Sequence, residues 1–135
     1  GTVETTSTYD KIYSIFKAKQ RVITEDFKEW GTDYMAHFSH WFPWGVMVYD
    51  RFLIAKPPQD PQEALQLHTQ IWGKAARASL EHGGVLNDHH GIGFKLGWLM
   101  EEQYGTAWPT MQGIKDALDP AGIMNPGKLG FIRRK

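Results

Sequence analysis

The chain has 135 residues, with fifteen Lys+Arg against fifteen Asp+Glu, a length that suits one domain burying roughly two-thirds of its unfolded surface. The charge balance removes the electrostatic case for nucleic acid or an anionic membrane, and no apolar run approaches the ~20 residues of a membrane span. There is no signal-peptide pattern, and the absence of cysteine rules out a disulfide framework and fits a reducing, cytoplasmic setting.

Ser7 or Thr8 caps a predicted helix that runs to about Thr24, with Ile12, Ile15, Phe16, Val22 and Ile23 as its core stripe. From about Tyr34 to Ile54 two aromatic and β-branched runs, YMAHFSHWF and VMVYDRFLI, flank Pro43-Trp44-Gly45 and read as a β-hairpin. Strand alternation puts Met35, His37, Ser39 and Trp41 on one face and Tyr34, Ala36, Phe38 and His40 on the other. A three-residue loop pairs Phe42 with Val46, Ser39 with Tyr49 and His37 with Arg51. That register gathers His37, Ser39, Tyr49 and Arg51 on one polar face and turns Phe38, Val48 and Phe52 to the core; a loop of two or four residues scrambles the pairing.

After Lys56-Pro57-Pro58, Asp60, Pro61 and Glu63 stand as N-cap, first-turn proline and capping-box glutamate of a helix to about His82, stopped by Gly83. Leu65, His68, Ile71, Trp72, Ala75 and Ser79 form its stripe. His68 reads as a packing residue and His82 as a last-turn group favoured by the helix dipole. Then comes HGGVLNDHHGIGFKLGW, which holds three of the six histidines and sets Gly83, Gly84, Gly91 and Gly93 around the adjacent His89 and His90. A glycine frame around titratable imidazoles suits a ligand or cofactor contact better than a core; the bland alternative is a helix cap, the short strand Val85-Leu86 and a polar loop. Phe94 to Tyr104 reads as a helix ended by Gly105, and Trp108-Pro109 to about Leu118 as another. The tail GIMNPGKLGF carries too many breakers to be regular, and Arg133-Arg134-Lys135 reads as a solvated basic end. The class is α+β: an antiparallel sheet built on a β-hairpin, covered by helices, with an irregular C-terminal tail.

Three segments carry a resemblance to one family. GGVLNDHHGIG is similar to the GG-x-x-S-x-HHG-x-G segment in the C-terminal region of the FAD-linked oxidases of the vanillyl-alcohol oxidase superfamily. ALDPAGIMNPGKLG resembles the closing D-P-x-x-I-x-N-P-G-K of those enzymes, and VETTSTYDKIYSIFKA resembles their V-E-T-A-x-x-W segment. The pattern sits nearest the alkyl-dihydroxyacetone-phosphate synthase branch, with Asp88 in place of the first of three histidines, and then the glycolate and D-lactate dehydrogenases. The resemblance implies part of a ferredoxin-like cap domain of a flavin enzyme acting on a hydroxyl-bearing small molecule. It implies Tyr49, in Gly45-Val46-Met47-Val48-Tyr49, as an acid–base residue, with His89 and His90 near substrate and flavin. Beside them, His37 and Arg51 are substrate-binding candidates, and Asn125 and Lys128 are candidates to face the FAD.

Histidine suits a base because it titrates near neutral pH, and a tyrosine hydroxyl serves when a neighbouring cation stabilises its anion, a part open to Arg51 or His37. Nothing in the chain resembles a dinucleotide fingerprint; Gly91-Ile92-Gly93-Phe94-Lys95 is too short and lacks a βαβ context. The expectation is therefore a single C-terminal substrate-side domain, a fragment of a larger polypeptide whose FAD-binding domain is its partner, inactive alone, with homo-oligomerisation left open. The alternatives are a non-catalytic folded module and a histidine-based divalent-metal-binding domain. His37, His40 and His89 are plausible zinc ligand types, but His37 and His40 fall on opposite faces of a regular strand, so no metal ligand is assigned.

Overall fold

The computed structural model describes residues 1–132, and the basic cluster Arg133-Arg134-Lys135 lies outside the described residues. Its first element is one that hydrophobic patterning does not announce: strand β1, Thr2–Thr8, with no apolar alternation in TVETTST. Helix α1 follows at Tyr9–Thr24, then the hairpin of β2, Thr32–Phe42, and β3, Gly45–Ile54. Helix α2 spans Pro61–Glu81, with Asp60 Oδ1 accepting from the Gln62 and Glu63 N–H groups at 2.9 Å each, as its cap sequence requires. The short strand β4, Val85–Leu86, completes the sheet.

The sheet order is β2-β3-β1-β4 and every pairing is antiparallel. This is the split βαβ, ferredoxin-like arrangement, with the polar strand β1 at its centre. Both helices cover one face. Ile12 and Ile15 of α1 pack with Val46 and Val48, flanked by Phe16 and Phe38. On α2 the buried set is Leu67, Ile71, Trp72, Ala75, Ala76, Ala78 and Ser79, whereas Leu65, expected in the stripe, is exposed. His68 packs on the Phe52 ring at 5.2 Å between centroids, the structural part expected of it. Each fully buried Ile or Leu contributes roughly 1.5–3 kcal/mol of transfer free energy, so this layer supplies most of the cohesion.

Within the apolar layer lies a buried polar network. Lys19 from α1 pairs with Asp50 from β3 and donates to Thr5 Oγ1 at 3.2 Å; Asp50 also accepts from the Tyr34 hydroxyl, and Thr5 donates to Ser79 Oγ at 2.9 Å. Lys19 and Thr5 are wholly buried. Burial holds the Lys19 ammonium below its ordinary value and pushes the Asp50 carboxyl and the Tyr34 hydroxyl above theirs, with the opposite charges of Lys19 and Asp50 working against the first two shifts.

The chain divides into two compact units, residues 1–89 and the segment from His90 onward. The second contains α3, Met100–Tyr104, and α4, Trp108–Leu118. The helix expected from Phe94 is confined to α3, preceded by a 3-10 turn at Gly97–Leu99. The reason is a close backbone approach: a Cβ on Gly97 would lie 2.6 Å from the Gly130 nitrogen, and the Leu129 N–H donates to Gly93 at 2.8 Å. This segment spends its backbone groups on the tail. The tail is closed by Gln112, whose side chain exchanges two hydrogen bonds with the Ile132 backbone, and by Phe131 stacked on Trp108.

Removing one member of a buried ion pair leaves the other charged and unsolvated, which costs about 3–5 kcal/mol. Lys19→Met is therefore expected to lower the unfolding free energy by about that amount in urea titrations, and adding Asp50→Asn, which neutralises the orphaned charge, is expected to recover part of it.

Candidate functional site

The sheet face away from the helices is where the candidate residues collect. Its register differs from the expected one. The hairpin loop is Pro43-Trp44, with Phe42 paired to Gly45, and a bulge between Ser39 and Trp41 adds a residue to β2. Loop and bulge each move the pairing by one, so Ser39 faces Met47, His37 faces Tyr49 and Met35 faces Arg51. A shift of two preserves side-chain parity, so His37, Ser39, Tyr49 and Arg51 still share one face. Beyond the bulge parity reverses. Trp41 pairs with Val46 and stacks on Tyr9 of α1, and His40, at φ 50°, joins the open face.

Strand β1 contributes a residue that the composition of the hairpin and loop does not suggest. Glu4 pairs with Tyr49 across the sheet and is buried at 5% exposure. Its Oε1 accepts the backbone N–H groups of Asp88 at 3.0 Å and His89 at 3.1 Å, and its Oε2 lies 2.9 Å from His89 Nδ1. The backbone prepares this contact. Asn87 N–H bonds to the Glu4 carbonyl at 3.1 Å, extending the β1–β4 ladder, and Asn87 then turns the chain at φ 71°. Upstream, Gly84 is required where it stands, because a Cβ there would sit 2.4 Å from Thr5 Cγ2 and 2.9 Å from the Ser79 carbonyl oxygen.

The His89 ring thereby stacks on Tyr49, centroids 6.1 Å apart, and Tyr49 stacks on His37 at 5.1 Å. On its other side His89 meets the His40 ring edge-on at 5.1 Å, and His40 Nδ1 pairs with the Asp88 carboxylate. The ligand atoms of His40, Asp88 and His89 all lie within 4.8 Å of one another, so the bulge creates a set of divalent-cation ligand types that a regular strand would have kept apart. Arg51 is exposed, one alternation along β3 from Tyr49 on the same face. The arrangement can hold an oriented imidazole against a phenol, beside the exposed Arg51 cation.

His90, exposed, begins the second unit. In that unit Asn125 and Lys128 are exposed and bound into one turn by the Lys128 N–H donating to the Asn125 carbonyl at 3.2 Å, with Asn125 at φ 46°. Lys128 Nζ stands 5.7 Å over the Phe94 ring. Preceding the turn, Asp119 accepts from Lys115 Nζ at 2.5 Å, Met124 N–H at 2.9 Å and Ile123 N–H at 3.0 Å. The Lys115 hydrogen bond, and then those from the Met124 and Ile123 N–H groups, hold the Asp119 carboxyl below the usual carboxylate range.

A family described as FAD linked oxidases, C-terminal domain, matches residues 2–129. The alkyldihydroxyacetonephosphate synthase of Trypanosoma brucei brucei is 29% identical over 129 residues, covering 93% of this chain and 21% of that protein. The alkyldihydroxyacetonephosphate synthase of Dictyostelium discoideum is 31% identical over 137 residues, again with 93% and 21% covered. A solved alkyldihydroxyacetonephosphate synthase structure superposes with a TM-score of 0.58 at 21% identity, over 93% of this chain and 20% of its own, a likeness of fold. The chain thus spans about a fifth of the length of these relatives.

The Asp119 geometry makes the tail acid-sensitive. Its folded-state pKa is depressed, so the stabilisation it confers is present above the ordinary carboxylate value of roughly 4 and is lost as pH falls through the folded pKa. The Ile123 and Met124 amide proton resonances are expected to shift together upfield on acidification below that value, and Asp119→Asn to abolish the transition.

Proposed function

The chain belongs to the family of FAD linked oxidase C-terminal domains, and on that premise we propose that its open sheet face is the substrate side of a flavin active site. The flavin is held mainly by a separate FAD-binding domain of the same polypeptide. The substrate is a small molecule with a hydroxyl-bearing carbon. The observation that carries this reading is the contact of His89 with Tyr49 above His37: a phenol and an imidazole stacked on one face, with the imidazole fixed from below by a carboxylate.

Bound FAD supplies the electron chemistry that no side chain can. The residues of this chain do the rest. Tyr49 exchanges a proton with the substrate hydroxyl, and His89 accepts or relays that proton. His37 backs Tyr49 and, with Arg51, binds the substrate, the guanidinium holding a carboxylate or phosphate. Asn125 and Lys128 offer an amide and an ammonium from one exposed turn, a donor set that fits the electron-rich edge or phosphates of the cofactor. Exposed Trp41 and Trp44 at the hairpin tip, 68% and 55% accessible, and Trp98 in the second unit fit surfaces that a partner domain covers.

A second reading has its own observation. The ligand types gathered at His40, Asp88 and His89 fit a divalent cation. Calorimetric titration with zinc would show saturable binding abolished by His40→Ala; heats no different from those of the variant would remove this reading.

Two outcomes are expected of the main proposal. The 135-residue chain alone has no turnover and no absorbance in the flavin band after incubation with FAD and desalting, and stoichiometric retention would contradict the division of labour. In an FAD-loaded enzyme carrying these residues, Tyr49→Phe and His89→Ala each lower kcat by about 10²–10⁴-fold, while urea midpoints stay close to that of the parent.

A further inference from the structure

A carboxylate in the middle of the central strand, removed from water, needs compensation from directed donors. Glu4 has more of it than loop closure requires. Tying β4 to the following loop would be served by the Asn87 N–H bond to the Glu4 carbonyl alone. Yet one carboxylate oxygen takes two consecutive backbone N–H groups, of Asp88 and His89, and the other oxygen stands 2.9 Å from the ring nitrogen of that same His89. One group thus bonds the backbone of His89 and stands within ion-pair distance of its ring. Glu4 also faces Tyr49 across the β1–β3 ladder, so the group that holds the imidazole shares a register line with the phenol it is held against. Buried at 5% exposure, Glu4 has little freedom to do anything but hold.

We propose that Glu4 is a positioning residue. Its carboxylate fixes the place of the His89 ring over Tyr49 and, by occupying the Nδ1 side, leaves Nε2 as the nitrogen that exchanges protons. The inference rests on the functional reading above, in which His89 and Tyr49 act as a pair. A displacement of about 1 Å at a reacting group costs roughly 100-fold in rate, so Glu4 acts on kcat through His89 without touching substrate. The logic is that of an acidic partner that sets the orientation and tautomer of a catalytic imidazole, here supplied from a strand.

The test has two arms. In the 135-residue chain, nitrogen-15 NMR of the His89 ring is expected to report a proton on Nδ1 when the ring is neutral, with downfield Asp88 and His89 amide protons and an Overhauser contact between the His89 and Tyr49 rings. Glu4→Gln keeps the size and one acceptor oxygen, so the strand survives; it is expected to move the ring nitrogen shifts and weaken the contact. Unchanged spectra in Glu4→Gln would overturn the proposal. In the FAD-loaded enzyme, Glu4→Gln is expected to lower kcat roughly 10- to 100-fold with KM within about twofold, and to add nothing in an enzyme already carrying His89→Ala. Full additivity of the two changes would also overturn it, since Glu4 would then act elsewhere. If His89→Ala abolishes turnover while Glu4→Gln retains it, the positioning role falls and the functional reading stands. If His89→Ala keeps full turnover, the functional reading falls and takes the role of Glu4 with it.

Discussion

Strand β1 carries polar side chains on both faces of the sheet while lying at its centre, and the rest of the first unit depends on the bonds made by two of them, Thr5 and Glu4. Thr5 points into the helix layer, where it joins Lys19, Asp50 and Ser79 and so ties both helices to the sheet. Glu4 points the other way and holds the loop that carries His89. Neighbouring residues of a strand face opposite sides, so two adjacent positions bind the scaffold below and the candidate site above. An unsatisfied polar group at either position costs more than any one apolar contact there could return, which makes β1 the part of the fold least free to change.

The Lys19–Asp50 pair adds specificity that apolar packing lacks. An Ile or Leu stripe tolerates a slide or rotation of α1 against the sheet, whereas a buried ammonium with two fixed acceptors does not. Asp50 is the sequence neighbour of Tyr49 and projects to the opposite face, so the clamp that fixes α1 also fixes the backbone on which the phenol is mounted. Rigidity of the site face thus comes from the hidden side of the sheet.

The hairpin shows how a local irregularity builds a cluster. A bulge at His40 turns one imidazole from the helix side to the open side and sends Trp41 in the opposite direction. The left-handed backbone at His40, Asn87 and Asn125 falls in the hairpin, the glycine loop and the closing turn, the three segments richest in candidate residues. Such conformations persist only where surrounding bonds impose them, and at Asn87 the Glu4 carbonyl and carboxylate do so on either side of the turn.

Much of this was legible in the chain itself. The cap residues Asp60 and Pro61 set the start of α2, the 3.6-residue spacing of Ile12, Ile15 and Ile23 marked the buried face of α1, and the alternating hairpin placed His37, Tyr49 and Arg51 together. These are local signals, governed by propensity and period. Even the buried ion pair left a trace, since Lys19 stands in the stripe of α1 and Asp50 alternates with Val46, Val48 and Phe52. What sequence could not decide depends on groups distant in the chain. Strand β1 has no apolar period because its order comes from the backbone of β3 and β4, which pair with it only across long separations in the sequence. The bulge at His40, the close approach of Gly97 to Gly130, and the seating of Asp88 and His89 on Glu4 likewise follow from hydrogen bonds and contacts that exist only after the chain has folded back on itself. Local periodicity determined the helices, the hairpin and their main faces; tertiary pairing decided strand β1, the bulge and which residues on those faces meet.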